Sequence, residues 1–399
     1  MSTTRPFAVL HFIEAIDLSH GGPVRAVLDL SRGLAERGHT QRIHTGRIDV
    51  NSAEFPDNSA ITGAVLPTIV HPSMFRGFFG FRTQSSEIEH AIRSTDVVHF
   101  HNVWQPALPR LARLCRRMGT PYVISLRGML DDWSMAQKSL KKRLYLGLAG
   151  TSTLERASAV HCTAQFELEQ AQKWFPKGRG VVIPNLLDLN PFRSPPGPNP
   201  AQQKYPELLE SRPKVLFLSR VHYKKGADVF VQAIAELTRR GIDVRGVVAG
   251  PGDPEYVRQL REQVRTSGID DRILFTGHVN GDLKISLYQA CEIFALPTHQ
   301  ENFGFVIPEA LAAEAVVITT KGVDIWPELE SSNAVVITDR TPAGFADAIE
   351  SLVKDPPRLA RMRENAKPFV FREFDESRTL DKFEHLYEQI ILGKARSSS

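Results

Sequence analysis

Short runs of apolar, often β-branched residues alternate with longer segments of helical periodicity along this chain of 399 residues. Such alternation is typical of parallel sheets whose strands are connected by helices, so the sequence predicts an α/β protein. The first series of predicted strands comprises Phe7–Ile13, Gln41–Thr45, Val97–His101, Tyr122–Ser125, Ala159–Cys162 and Val181–Pro184. The second comprises Val215–Leu218, Val244–Ala249, Ile273–Phe275, Ile293–Leu296, Val316–Thr319 and Val335–Ile337. Two series predict two doubly wound domains, each long enough to bury its own core.

A proline-rich stretch separates the two series, because seven prolines lie from Pro191 to Pro213 without a periodic apolar pattern. This composition is typical of a linker. We therefore expect an N-terminal domain over residues 1–190, a linker over 191–213 and a C-terminal domain over 214–375. Residues 376–399 are expected to form a helix, roughly Ser377 to Leu392, followed by a disordered tail.

Composition excludes several classes of protein. No apolar run approaches the roughly 20 residues that a membrane span requires. The first residues lack the basic start and apolar run of a signal peptide, and three scattered cysteines (Cys115, Cys162 and Cys291) show no metal or disulfide spacing. A cytoplasmic protein with reduced thiols is the expectation. The net charge of +4 is too small to indicate a nucleic-acid partner, although it is compatible with an anionic substrate or an acidic membrane face.

Two carboxylates eight positions apart, Glu301 and Glu309, follow the predicted strand that ends at Leu296. Pro308 suits the first turn of a helix, which places Glu309 near free backbone amides that attract anions. Gly304 between them would let the backbone approach a phosphate closely. The alternative is a helix N-terminus with a stabilising acid and no further role.

Two cations, Arg220 and Lys225, follow the first strand of the same domain. At the carboxyl end of a buried strand they are placed to converge on a diphosphate, the guanidinium through paired hydrogen bonds and the ammonium as a point charge. The alternative is a pair of solvated basic residues in a loop.

Together these residues resemble the retaining nucleotide-sugar glycosyltransferases of family 4, which have the GT-B architecture of two facing Rossmann-like domains with a deep interdomain cleft. The resemblance implies that Arg220 and Lys225 hold the donor diphosphate, that Glu301 faces the hydroxyls of the transferred sugar, and that Glu309 faces the ribose. It also implies a terminal helix that packs back across the cleft. Backbone amides near the phosphates are implied for Asn302, Phe303, Gly304 and Phe305. Neither a metal nor a cofactor is implied, because cations stabilise the leaving group.

The N-terminal half resembles the same family at two segments. Gly21 and Gly22 match the glycine loop after the first strand; the resemblance places Gly22 near the donor phosphate and Gly21 on the acceptor side. His99, His101 and Trp104 match an H-x-H-G-x-W segment of a polysaccharide-associated subset, again on the acceptor side, with Asn102 in place of the glycine. The alternatives are a simple turn for the glycines and buried structural roles for the histidines.

Arg127 is the main departure from the family, many of whose members have a histidine in the loop after the fourth strand. Arginine is effectively always protonated and cannot act as a general base. The resemblance implies that the departing diphosphate accepts the acceptor proton, so Arg127 is expected to stabilise developing negative charge. A second departure is Leu186, which replaces a glycine of the family's I-P-N-G-V-D segment.

The resemblance implies a metal-independent hexosyltransferase that moves a sugar, with retention, from a nucleoside diphosphate to a saccharide or lipid-linked saccharide in surface polysaccharide or exopolysaccharide biosynthesis. Two alternatives remain: a non-catalytic carbohydrate-binding subunit of GT-B fold, and another GT-B enzyme such as a nucleotide-sugar epimerase or an inverting transferase. A nicotinamide dehydrogenase is not favoured, because no G-x-G-x-x-G follows the first strand of either domain.

Residues 138–148 predict a basic amphipathic helix, with Leu140, Leu144 and Leu148 on one face and lysines and an arginine around them. Such a helix is suited to the anionic inner face of a membrane, where a lipid-linked acceptor would be reached. The aromatic segment Met74–Phe81 is expected to add contacts there. The alternative is that the three leucines are buried in the core.

Overall fold

The computed structural model describes residues 5–17, 22–46, 48–49, 68–69 and 85–397. The chain divides into two compact units. Unit 1 comprises residues 1–187 and 376–399, and unit 2 comprises residues 188–375. The final helix therefore belongs to the N-terminal unit, although it follows unit 2 in the sequence.

Unit 1 is built on a parallel sheet of seven strands, ordered β5-β3-β1-β6-β7-β8-β9. Its strands are β1 Ala8–Ile13, β3 Thr40–Thr45, β5 Thr68–Ile69, β6 Val97–His101, β7 Tyr122–Ser125, β8 Ala159–Cys162 and β9 Gly180–Val182, with a separate pair, β2 Ile16–Asp17 and β4 Ile48–Asp49. Its α-helices are α1 Gly22–Glu36, α2 Ser85–Arg93, α3 Leu108–Arg117, α4 Asp132–Ala136, α5 Ser139–Tyr145, α6 Thr151–Glu155, α7 Gln165–Ala171 and the final helix, Glu376–Ser397; a π-helical turn spans Leu146–Gly150.

Both faces of the unit 1 sheet are buried, because consecutive residues of a strand point to opposite sides. Leu10, Val98 and Ile124 belong to the apolar core on one face. Val9 and Val97, their neighbours in sequence, belong to the core on the other face, together with Leu380, Phe383, Leu386 and Tyr387 of the final helix. The final helix is thus part of the core of unit 1.

Unit 2 is built on a parallel sheet of six strands, ordered β12-β11-β10-β13-β14-β15. Its strands are β10 Lys214–Leu218, β11 Arg245–Ala249, β12 Ile273–Gly277, β13 Ile293–Leu296, β14 Val316–Thr319 and β15 Val335–Ile337. Its α-helices, numbered on from unit 1, are α8 Asn199–Lys204, α9 Ala227–Arg239, α10 Pro254–Thr266, α11 Gly281–Gln289, α12 Val306–Ala312, α13 Trp326–Glu330, α14 Pro342–Val353 and α15 Pro356–Glu373; the final helix is α16.

The first strand of each unit lies inside its sheet, with the second and third strands on one side and the fourth on the other. This strand order is that of Rossmann-like sheets, so the predicted α/β class with two doubly wound domains is confirmed. In such a sheet a ligand binds where the order reverses, between the ends of the first and fourth strands. That point lies at β1 and β6 in unit 1 and at β10 and β13 in unit 2.

The proline-rich stretch differs from the expected linker. It contains α8, with Pro200 in the first turn, where the missing N–H has no helical partner to lose. Ala201 is fully buried, and its N–H donates to Ser286 Oγ of α11 at 2.9 Å. The final helix also differs, since it continues to Ser397 where the sequence predicted an end near Leu392 and a disordered tail. Among the described residues, no helix combines the length and apolarity that crossing a bilayer demands.

Candidate functional site

The reversal point of unit 2 brings together the residues that the sequence analysis singled out. Lys225 follows β10 and Glu301 follows β13, and the Lys225 ammonium forms an ion pair with Glu301 Oε2. Burial and the positive charges of Lys224 and Arg220 lower the pKa of Lys225 to about 7, while the Glu301 carboxylate favours the charged ammonium. Arg220 is exposed and has no ion-pair partner within the described part of the chain. The site thus combines a paired cation with an unpaired one.

Loop-to-loop hydrogen bonds explain why Lys225 and Glu301 meet. The N–H of His299 donates to the carbonyl of Lys224 at 2.8 Å, and Lys224 Nζ donates to Gln300 Oε1 at 2.6 Å. Gly226 has a φ of 79°, and a Cβ there would lie 2.1 Å from the carbonyl oxygen of Pro297. Only glycine therefore allows the two loops to approach so closely.

Glu309 lies in the first turn of α12, as predicted, but it is only 1% exposed and already has partners. Lys284 Nζ contacts its carboxylate at 2.9 Å, and Tyr288 donates its hydroxyl at 3.2 Å. Sequence analysis missed both partners. The available signal is their spacing, because residues four apart on α11 share a helix face.

Close packing and a side-chain hydrogen bond fix the conformation of the segment between Glu301 and Glu309. Gly304 has a φ of 65°, and a Cβ there would lie 2.8 Å from Glu301 Cγ. Asn302 Nδ2 donates to Asp324 Oδ2 at 3.1 Å. Phe303 is buried against Phe374 and Phe305, at centroid distances of 5.4 and 5.1 Å. The side chain of Phe303 therefore supports the loop from the core.

Arg127 follows β7 in unit 1 and is 8% exposed, with a left-handed backbone of φ 54°. Its Nη1 donates to Asn185 Oδ1 at 2.7 Å, and its Nη2 donates to His101 Nδ1 at 3.2 Å. Burial lowers the pKa of Arg127 to about 10, so the guanidinium stays charged at neutral pH. The Glu167 carboxylate fixes the same loop by accepting from the N–H groups of Gly128 and Thr163.

The donor and acceptor roles of their hydrogen-bond partners determine the tautomers of His101 and His11, which are linked to Arg127. A guanidinium only donates, so His101 Nδ1 accepts from Arg127 and His101 Nε2 must carry the proton. That nitrogen lies 2.9 Å from His11 Nδ1, and His11 Nε2 lies 2.9 Å from Gln41 Oε1. The chain therefore runs in one direction, from Arg127 through His101 and His11 to Gln41.

A second chain runs to the final helix. His161 Nε2 donates to the carbonyl of Ile183 at 2.8 Å, so its Nδ1 accepts from Ser125 Oγ at 2.7 Å. Ser125 in turn accepts from His99 Nε2, and His99 Nδ1 accepts from the Tyr387 hydroxyl, both at 2.7 Å. All members are satisfied with neutral histidines.

For His99 and His101 this network favours the alternative of buried structural roles over direct contacts with an acceptor. Both side chains are fully buried, and both ring nitrogens of each are engaged. They therefore position neighbouring groups instead of facing a ligand. Nitrogens of His11, His99 and His101 lie within 4.8 Å of one another, which is compatible with a metal ion, but hydrogen bonds already occupy all of them.

Of the remaining predicted residues of unit 1, the structure describes Trp104 and Gly22, together with Asn102, which follows β6 directly. Asn102, which replaces a glycine of the resembling family, has a φ of 88°, a conformation that asparagine tolerates better than most residues. Trp104 is half-buried, with Lys142 Nζ 5.1 Å from its ring centroid. Gly22 begins α1. Gly21 and the segment Met74–Phe81 lie outside the described residues.

An exposed apolar face lies on α5 and the π-helical turn. Leu140, Leu144 and Leu148 are 80%, 61% and 78% exposed, so the alternative that they are buried in the core is wrong. Lys138, Lys141 and Arg143 beside them are also exposed. The predicted amphipathic segment is therefore present on the surface of unit 1.

Comparisons with known proteins agree with both units. Residues 199–369 match the family model described as glycosyl transferases group 1, and residues 21–186 match a glycosyl transferase 4-like domain. A D-inositol 3-phosphate glycosyltransferase of Xylanimonas cellulosilytica is 34% identical over 372 residues, which cover 87% of each chain. An alpha-D-kanosaminyltransferase of Streptomyces kanamyceticus is 33% identical over 186 residues, which cover 46% of this chain and 47% of that protein.

The fold is also that of a solved structure. The crystal structure of HepE from Anabaena in complex with UDP-glucose superimposes with a TM-score of 0.75 over 96% of this chain and 100% of that one, at 20% sequence identity. This likeness shows a GT-B fold. Together with the family models and the near full-length relative, it shows that the chain belongs to the group 1 glycosyltransferases.

Proposed function

We propose that this glycosyltransferase transfers a hexose from a nucleoside diphosphate to a saccharide hydroxyl with retention of anomeric configuration. The observation that carries the proposal is the grouping of Arg220, Lys225 and Glu301 at the reversal point of unit 2. HepE, whose fold is similar, was solved with UDP-glucose, which makes a uridine diphosphate sugar the first donor to test.

In this proposal Arg220 and Lys225 bind the donor diphosphate. Arg220 contributes an exposed guanidinium that can bind two phosphate oxygens at once. Lys225 exchanges its contact with Glu301 for the phosphate, which leaves Glu301 as an acceptor for the hydroxyls of the sugar. Glu309, held by Lys284 and Tyr288, is assigned to the ribose hydroxyls.

The chemical step breaks the bond between the anomeric carbon and the diphosphate oxygen and forms a bond to the acceptor oxygen on the same face. The acceptor proton passes to the departing diphosphate, so neither a protein base nor a metal is required. Arg127 is proposed to supply a fixed positive charge that stabilises the negative charge of this step. The buried histidines keep its guanidinium oriented.

Product stereochemistry tests the proposal. Purified protein is incubated with a panel of nucleoside diphosphate sugars and saccharide acceptors, and proton NMR gives the configuration of the new linkage. We expect retention, with Arg220→Ala and Arg127→Leu strongly impaired and Arg127→Lys partly active. An inverted product, an epimerised donor, or donor binding without any nucleotide release would support one of the alternatives instead.

We further propose that the exposed leucine face docks on an anionic membrane surface, which would bring a lipid-linked acceptor of surface polysaccharide synthesis to unit 1. Three leucines with Lys138, Lys141 and Arg143 around them combine apolar insertion with attraction to acidic headgroups. Such a protein would work at the inner face of the cytoplasmic membrane.

Vesicle co-sedimentation tests this docking. We expect binding to vesicles that contain phosphatidylglycerol at low salt and release at high salt. The triple variant Leu140→Ser, Leu144→Ser, Leu148→Ser should lose binding. Leu209→Ser is the matched control, because Leu209 is 67% exposed but lies in unit 2. Equal binding by the triple variant and the wild type would contradict the proposal.

A further inference from the structure

A cavity of about 390 Å³ lies at the amino edge of the unit 1 sheet, at the opposite ends of the strands from Arg127. Its lining includes Thr120 and Pro121 before β7, Ser158 before β8 and Arg179 before β9. Arg116 comes from the last turn of α3 and Arg156 from the end of α6, so three guanidinium groups share one cavity.

The positive charges of the three arginines are not balanced by a carboxylate among the described residues of the cavity. None of the described residues that line it is acidic. Arg116 Nη1 donates to the Tyr122 hydroxyl at 3.3 Å, and Arg179 Nη2 donates to Gln389 Oε1 at 2.8 Å, so both contacts are with neutral groups. Within the described ranges, none of the three arginines forms an ion pair with a carboxylate. All three arginines are solvent-exposed, so water and salt screen the repulsion between them, and an anion placed between them would lower it further.

We propose that this arginine cavity binds a small phosphate-bearing anion. Guanidinium groups bind phosphate oxygens in pairs, and the hydroxyl of Ser158 adds a neutral donor at the same place. The volume suits a ligand of sugar phosphate size, because small-molecule pockets begin at about 300 Å³. The site is separate from the proposed donor site, which lies in unit 2.

The position of the cavity gives the ligand a defined structural effect. Gln389, Ile390 and Gly393 of the final helix form one wall. The same helix carries Tyr387, whose hydroxyl donates to His99. An anion bound in the cavity would therefore hold the helix that completes the buried network of unit 1.

Calorimetric titration with inorganic pyrophosphate tests the proposal. All measurements use an Arg220→Ala background, which weakens pyrophosphate binding at the proposed donor site, and the loss caused by a cavity variant in that background measures the binding that belongs to the cavity. We expect pyrophosphate to bind and to raise the melting temperature, and the double variant Arg156→Ala, Arg179→Ala to bind at least tenfold more weakly. Arg117→Ala is the matched control, because Arg117 is exposed on α3 but does not line the cavity.

Three outcomes would overturn the proposal: no pyrophosphate binding in the Arg220→Ala background, equal binding by the double variant, or equal weakening by Arg117→Ala. A fourth concerns the source of the phosphate. If the double variant loses binding to phosphatidylglycerol vesicles but keeps its affinity for pyrophosphate, the cavity serves a lipid headgroup and the small-molecule assignment fails. Failure of the proposed transferase activity would leave all of these results unaffected.

Discussion

Lys225 is the residue whose chemistry depends most on its surroundings. It is buried between two other cations and the carboxylate of Glu301, and its pKa is lowered to about 7. A diphosphate favours the charged ammonium, so binding raises this pKa. The proposed function therefore couples proton uptake to donor binding at this side chain.

The coupling predicts that affinity for UDP falls as pH rises above 7. Below pH 7 Lys225 is already protonated and adds no further pH dependence; above pH 7 each pH unit costs up to about tenfold, because free protein must first take up a proton. Calorimetry at pH 6.0, 7.0, 8.0 and 8.5 measures this. Lys225→Arg should remove the dependence, since arginine stays charged. A wild-type affinity that is constant from pH 7 to 8.5 would contradict the role of Lys225.

The two acids of unit 2 are expected to have separable effects. Glu309→Gln should weaken UDP binding by about tenfold, because it loses a charge-assisted contact and leaves Lys284 without its carboxylate. Glu301→Gln should mainly lower kcat, because the proposed function assigns Glu301 to the hydroxyls of the transferred sugar. Glu330→Gln, exposed in the same unit, is the control. Equal losses of UDP affinity at positions 301 and 309 would show that these roles are wrongly assigned.

Among individual residues, the sequence could predict those site residues whose position relative to a strand or helix is itself informative. Arg220, Lys225 and Glu301 follow strand ends, which parallel topology alone brings together, and Glu309 lies in the first turn of the helix that follows. Asn185 could not be found, because it becomes a partner of Arg127 only when two distant segments pack together. The spacing of Lys284 and Tyr288 indicates a shared helix face but does not show that Glu309 packs against it.

The final helix shows why a helix or strand is easier to predict from sequence than the surface against which it packs. Its apolar periodicity predicted a helix near the observed Glu376–Ser397, and the alternating runs predicted the strands of both sheets to within a few residues, except the two-residue edge strand β5, which was not predicted. Periodicity does not state which surface an apolar face covers. Contacts settle that here: Arg37 of unit 1 binds Glu384 at 2.7 Å, and Leu380 and Phe383 lie in the core of unit 1. The structure differs from the linker expected over residues 191–213 for a related reason. Prolines in a first helical turn are compatible with a packed helix, so proline content alone does not distinguish a linker from α8.

We predict that Tyr387→Phe destabilises unit 1 by about 1–3 kcal/mol, because it leaves His99 Nδ1 buried without a donor. Denaturant unfolding followed by circular dichroism measures the loss. Tyr205→Phe is the control: its hydroxyl makes a 3.4 Å contact with the carbonyl of Thr276 in unit 2, so it should change stability much less. A Tyr387→Phe protein as stable as the wild type would show that the second histidine chain contributes little.

The two units have the same order of their first four strands but differ in the number of buried histidines, whose protonation would destabilise the fold. In unit 1, His11, His99, His101 and His161 are buried on neighbouring strands, and their network is satisfied only in the neutral form. In unit 2, no histidine among the described residues is buried to this degree. Among the described residues, buried neutral histidines therefore link the stability of unit 1 to acid in a way that unit 2 does not share.

This difference predicts that acid destabilises unit 1 before unit 2. Burial lowers the pKa of His11 to about 4 and that of His161 to about 3, against 6.5 in an unfolded chain. As pH falls below 6.5 the unfolded state binds protons that the folded state does not. The stabilisation is therefore complete above pH 6.5 and is lost toward pH 4, by about 1.4 kcal/mol per pH unit for each histidine. Hydrogen exchange at pH 7.0, 6.0 and 5.0, corrected for the intrinsic rate, reads each unit separately. We expect protection to fall first in β1, β6 and β8, and an earlier or equal fall in the strands of unit 2 would contradict the assignment of neutral histidines.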